Sequence, residues 1–151
     1  MPAKRKISTE DGFEPIKSLI ENKIISHREI TDFAKIDYPL FSFRYLRPVS
    51  IDKCKNPEFF LRFLLRLKKL SELGWSEIRR SRRHLYGLEP IPRNCFKPDL
   101  KCIGEILTDD VEKLHVFRVD SDNHPFVGLQ IGKIFYVIFI EAEFGDIYDH
   151  G

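Results

Sequence analysis

HVFRVDSDNHPFVGLQIGKIFYVIFI, residues 115–140, holds three strand-length apolar segments cut by two turn signals. Leu114 to Val119 alternates apolar and polar residues, and Ser121-Asp122-Asn123 supplies turn chemistry. Phe126 to Ile131 reads as a second strand, and Gly132-Lys133 turns the chain again. Ile134 to Ile140 is a near-continuous apolar run, suited to a central strand buried on both faces. Strands joined by turns this short can only be antiparallel neighbours. Phe144 to Tyr148, across Gly145-Asp146, reads as a short edge strand. Residues 114–148 are therefore expected to form an antiparallel β-meander.

Upstream, Leu40 to Leu46 alternates with Phe41, Phe43 and Tyr45 on one face, which predicts a strand that Pro48 ends. The clearest helix follows. Asn56 is an N-cap, Pro57 fits the first turn and Gly74 is a stop signal. Between them Phe59, Phe60, Phe63, Leu64, Leu67, Leu70 and Leu73 recur at helical spacing, while Arg62, Arg66, Lys69 and Glu72 are expected to look outward. Ser76 reads as the cap of a second helix ending at Gly87, so the Gly74-Trp75 turn predicts an antiparallel helical hairpin. Residues 89–100, with three prolines, read as a rigid connector, and Lys101 to Leu107 as a strand interrupted at Gly104. Near the start, Pro15 opens one short helix, and Ser26 with Glu29 forms a capping box for another. The expected class is α+β: a meander packed against a helical hairpin, with an N-terminal helical extension.

A chain of 151 residues suits one domain. We read residues 1–12 as a flexible basic arm and 13–151 as a single α+β domain, with the helical extension at 13–38. No run approaches the roughly 18–20 apolar residues of a membrane span, and the basic start lacks an apolar signal core, so a cytoplasmic, soluble chain is expected. Cys54, Cys95 and Cys102 are an odd number without framework spacing and read as packing thiols in a reducing compartment. The net charge of +2 hides an asymmetry: residues 101–151 carry 4 Lys/Arg and 10 Asp/Glu, leaving 21 and 13 for the first hundred. Arg79, Arg80, Arg82 and Arg83 span more than one side of a single helix, making them candidate nucleic-acid contacts as well as a solvated face. Phosphate-loop and nucleophile-elbow signatures are absent. The five histidines show no HxH or HxxxH spacing, so neither a metal site nor a cofactor is expected.

The order of these elements, a strand, a tight basic helical hairpin, then a three- or four-stranded meander, resembles the RelE/ParE toxin superfamily over roughly residues 40–148. The meander 115–140 carries the local likeness. The resemblance implies a toxin of a bacterial toxin–antitoxin pair, acting as a metal-independent endoribonuclease on mRNA at the ribosome and held by a cognate antitoxin protein. The alternative it admits is a non-catalytic RNA- or protein-binding relative, including the gyrase-inhibitor type. Arg118 lies where the family places a basic residue on the first meander strand, and His124 opens the second strand where the family has an arginine. Tyr148 and His150 follow the apolar strand, in the region that supplies the family's catalytic groups. Cleavage by the ribose 2′-hydroxyl needs a base, an acid for the leaving 5′-oxygen and cations near the phosphorane. Where the family carries basic residues after the apolar strand, this chain has Glu141, Glu143 and Asp146. These acids are expected to repel phosphate, leaving the acid–base work to His124 and His150.

Overall fold

The structure, a computed structural model, describes residues 34–82, 85–119 and 124–150. The expected arm, almost all of the helical extension, Arg83 and the turn at 121–123 lie outside the described residues. Residues from Asp37 onward make one compact unit, and those up to Ile36 a separate one.

The chain is α+β. Strands β1 (Leu40–Ser42), β2 (Glu89–Pro92), β3 (Lys113–Arg118), β4 (Pro125–Ile131) and β5 (Ile134–Ile140) build a mixed sheet in the order β1-β5-β4-β3-β2. β3, β4 and β5 are consecutive antiparallel neighbours, as the alternation and turns require. β1 pairs in parallel with β5, Leu40 opposite Ile134, which makes β5 an interior strand. β1 is shorter than the alternation of 40–46 suggests. After Ser42 the backbone turns, with Leu46 N bonded to Phe43 O and Arg44 N to Ser42 Oγ.

The proline-rich connector is in part a strand. Residues 89–92 pair antiparallel with β3, Glu89 opposite Val116. Pro90 and Pro92 are tolerated because β2 is the outermost strand, where one side of the backbone needs no ladder donors. Lys101–Ile103, expected as a strand, is a 3-10 turn. Residues 144–148 form no edge strand either; a single bridge joins Tyr148 to Phe96. The reason is chemical: the N–H groups of Gly145, Ile147 and Tyr148 are all taken by the Glu141 carboxylate.

One face of the sheet is covered by helix α1 (Pro57–Arg80), whose Asn56 cap accepts from Glu58 N. Phe59, Phe63, Leu67 and Leu70 are buried against Phe117, Phe126, Phe135 and Val137. Each such side chain contributes about 1.5–3 kcal/mol. The apolar stripe is narrower than its periodicity suggests, since Phe60 and Leu64 are exposed. Arg66, expected outward, donates to the carbonyls of Val119 and Leu85 and lies over the Tyr86 ring. The helix breaks at Gly74, where the sequence places a stop. Its φ of 78° and its approach to Asp37 O, which a Cβ would meet at 2.9 Å, both demand glycine. The second helical piece is only a short one, ending at Arg80 instead of Gly87. Ser76 does not cap it locally; its hydroxyl donates to Asp37 Oδ2, and Trp75 N to Asp37 O.

The other face packs against residues 96–107 and the segment after β5, with Phe96, Leu100, Ile103, Leu107, Ile147 and Tyr148 buried on Val116, Val127 and Ile138. Cys95 is an exposed thiol, not a packing one, and Cys54 is half-buried. No helix among the described residues is long and apolar enough to cross a membrane.

A bulge interrupts the central pairing. Val127 pairs with Phe139 but Gly128 with Val137, leaving Ile138 as the extra residue. Glycine is required at 128 because a Cβ would run into the Tyr136 carbonyl. Beyond a one-residue slip every side chain changes face. Phe135 and Val137 point at the helix, whereas Phe139 joins the opposite core and Ile140 returns to the helix side.

Candidate functional site

The site lies at the end of the sheet where β3 and β5 finish and β4 begins. The bulge matters here, because it turns Glu141, the residue after β5, toward Ile147 and Tyr148. Glu141 is fully buried. Its Oε1 accepts from Gly145 N at 3.0 Å, and its Oε2 from Ile147 N at 2.8 Å and Tyr148 N at 3.3 Å. The fourth contact is His150 Nε2, 2.6 Å from Oε1. Backbone N–H groups can only donate, so this carboxyl acts as an acceptor and Nε2 carries the proton toward it. Nδ1 of a neutral His150 is then the nitrogen with a lone pair.

The His150 ring is sandwiched. Phe144 stacks on it at 3.8 Å between centroids, and Tyr148 lies at 4.1 Å. Phe144 also meets the His124 ring edge-on at 6.0 Å, and His124 meets Phe59 at 5.7 Å. Two imidazoles thus flank one phenyl ring. His124 opens β4 as the sequence suggests, its carbonyl accepting from Val119 N at 2.6 Å. Below them, Arg118 at the end of β3 donates from Nη1 to the Tyr148 hydroxyl and from Nη2 to Glu89 Oε2, both at 2.6 Å. Arg118 is only 9% exposed. Burial pushes the Tyr148 phenol above its ordinary range, partly offset by the Arg118 hydrogen bond, so the hydroxyl stays protonated at neutral pH.

Arg118, His124, Tyr148 and His150, separated by up to 32 residues in the chain, therefore share one continuous set of contacts. Among the described residues, Arg79, Arg80 and Arg82 take no part in these contacts. Phe59 touches His124 at one end of α1, whereas Trp75 Nε1 donates to Lys133 O at the β4–β5 turn. About 22 Å of helix separates Phe59 from the break at Gly74. Arg79, Arg80 and Arg82 follow that break, and the Arg82 carbonyl accepts from Leu85 N and Gly87 N. All three are exposed, and Arg80 pairs with Glu77.

No family model, curated protein or solved structure matches this chain.

Sequence reasoning missed four participants. Glu141 reads as a repelling surface acid, yet it is the buried anchor of the site, and only Glu143 and Asp149 of the acidic run are exposed. A carboxylate directly after seven apolar residues was the available signal. Glu89 sits in a segment read as a connector. Phe144 lies in a segment whose sequence reads as an edge strand. Ser50, with a left-handed φ of 75°, is buried, and its hydroxyl accepts from Ala142 N at 2.9 Å and Glu143 N at 3.1 Å. Ser50 and Glu141 together fix the loop that carries Phe144. Among the described residues no cluster of His, Cys, Asp and Glu could hold a metal ion.

Proposed function

We propose that this chain is a divergent RelE-like toxin that cleaves RNA without a metal, using His150 as base and His124 as acid. The observation that carries the reading is the Glu141–His150 pair, with His124 on the far side of Phe144. A carboxylate that fixes the tautomer and orientation of an imidazole prepares its other nitrogen to take a proton. In the proposed reaction His150 Nδ1 removes the proton of a ribose 2′-hydroxyl. The O2′–P bond forms, the P–O5′ bond breaks, and protonated His124 supplies the proton to O5′. The products are a 2′,3′-cyclic phosphate and a 5′-hydroxyl. Arg118 acts here through Tyr148, as a positioning residue, because its charge is committed to Glu89. The α+β class and the antiparallel β3–β4–β5 meander support the family reading.

The test is cleavage of free and ribosome-bound mRNA in the presence of EDTA. His150→Ala and His124→Ala should each lower the rate about 10²–10⁴-fold. Absence of cleavage by the unaltered chain on both substrates, or full activity of His150→Ala, would overturn the reading. A second reading, a non-catalytic RNA- or protein-binding chain with a cognate partner, is favoured by the burial of Arg118, which presents no free charge to a phosphate. It predicts RNA binding without turnover.

A further inference from the structure

Helix α1 carries a second apolar stripe that the sheet does not use. Phe60, Leu61, Leu64 and Leu65 stand at positions i, i+1, i+4 and i+5, on another side of the helix from the buried Phe59, Phe63 and Leu67. They are 37%, 56%, 61% and 54% exposed. Single exposed leucines are ordinary, but four large apolar side chains on two consecutive turns make a contiguous patch of the kind that marks an interaction site. Its support is rigid. The helix is capped at Asn56 and held to the sheet by its other stripe, and the Phe60 ring rests edge-on against Phe59 at 5.5 Å. Charges follow in a definite order along the stripe. Lys53 and Lys55 precede the helix and Glu58 lies in its first turn; beyond the apolar residues come Lys68 and Glu72, which pair with each other. All five are exposed. Arg62 and Lys69 fall outside the stripe at helical spacing, and Lys69 Nζ lies over the Tyr86 ring at 6.0 Å. Along the chain the order is therefore plus, minus, apolar, plus, minus.

We propose that two copies of this chain associate through the stripe, α1 against α1, antiparallel about a two-fold axis near positions 62 and 63. The charge order selects this occupant. Turned end for end, the series reads minus, plus, apolar, minus, plus, so each charged group of one copy meets its opposite on the other. With the axis midway along the stripe, position 58 lies opposite 67 and position 72 opposite 53. Lys68 then reaches Glu58 of the second copy, and Glu72 faces the segment of Lys53 and Lys55. The three donors of the Lys68 ammonium allow it to bond Glu72 and the second copy's Glu58 together. Leu61 meets Leu64 across the axis, and Phe60 meets Leu65. A parallel pair sets like charge against like, and an unlike partner requires no such order at both ends. Self-complementarity of this kind is what an isologous contact demands. The helix from Pro57 to Leu73 is about 25 Å long. Such a contact falls at the small end of interfaces, whose standard size is about 800 Å² per partner. The dimer is accordingly weak, with a Kd of about 1–100 μM. More dilute protomers leave the stripe bare.

Sedimentation equilibrium of the full chain across that concentration range tests the proposal. The mass should rise from one chain toward two. Leu61→Glu and Leu64→Glu, at exposed positions outside the core, should each weaken association about 30-fold or more. Glu58→Lys and Lys68→Glu should each weaken it about 3- to 30-fold, because each sets like charges together twice in the dimer. The deciding measurement mixes these two charge variants. In the mixed dimer both contacts between positions 58 and 68 again join opposite charges, so the mixture should associate within about 3-fold of the unaltered chain. A mixture no tighter than either variant alone would overturn the antiparallel pairing. A chain that stays monomeric throughout, its stripe taken by another segment or an unlike partner, would overturn the dimer. Association undiminished by Leu61→Glu and Leu64→Glu would do the same, by placing the contact elsewhere.

Discussion

His115 illustrates how a single side chain sets a pH limit on this fold. It lies on β3 opposite Gly128, half-buried, and its Nδ1 accepts from Gln130 N at 2.9 Å. That bond requires an unprotonated Nδ1, and burial holds the imidazole below its ordinary value of 6.5. The unfolded chain takes up a proton as pH falls through about 6.5, while the folded chain resists it. The contribution is therefore present above that pH and is lost as pH falls toward the depressed folded value. Urea midpoints should drop between pH 7.5 and 5.5, and His115→Asn, which keeps an acceptor without titrating, should flatten part of that drop. An unchanged slope would assign the acid sensitivity to other groups. At this scale the sequence was informative about residue type and blind to environment. It singled out His124, Tyr148 and His150, but whether Glu141 turns toward His150 or toward the helix-covered face depends on one extra residue, Ile138, in the β4–β5 pairing. Nothing in the local pattern marks that residue.

Helix α1 separates what periodicity reveals from what it conceals. Caps, length and the break at Gly74 were legible because each rests on local chemistry: Asn56, Pro57 and a φ only glycine adopts easily. The buried face was legible only in part, because Leu64 and Leu70 have the same apolarity yet 61% and 0% exposure. Leu70→Ala should cost about 2–5 kcal/mol in equilibrium unfolding, and Leu64→Ala no more than about 0.5 kcal/mol. Similar losses at the two positions would mean that the exposed stripe is covered in solution. β3, β4 and β5 were readable because their turns are short. β2 was hidden by its prolines, which mark a connector and an outer strand alike. The segment after β5 was misread as a strand because a side-chain carboxylate, not a neighbouring backbone, satisfies its N–H groups.

For the molecule as a whole, topology orders local stability. β4 and β5 are interior and packed on both faces, whereas β1 is three residues long and β2 has one open side. Amide exchange should be slowest in β4 and β5, intermediate in β3, and fastest in β1 and β2. Protection of β1 equal to that of β5 would contradict this order. The α+β class was legible from alternation, but the parallel pairing of β1 with β5 was not, since Leu40 and Ile134 lie 94 positions apart and no turn joins them. The molecule's charge is likewise divided by position. The exposed Arg79, Arg80 and Arg82 stand outside the contacts that join Arg118, Tyr148, His150, Phe144 and His124.

The parallel β1–β5 pair also imposes a timetable. A chain made from its N-terminus must hold β1 unpaired until Ile134 to Tyr136 have been added and can fold against it. Glu141, Phe144, Tyr148 and His150 come later still, so every preceding stretch of sheet and helix is synthesised before the candidate site can close. The order of synthesis therefore acts as a delay: the contacts among Arg118, Tyr148, His150 and His124 form only after the rest of the sheet has been made.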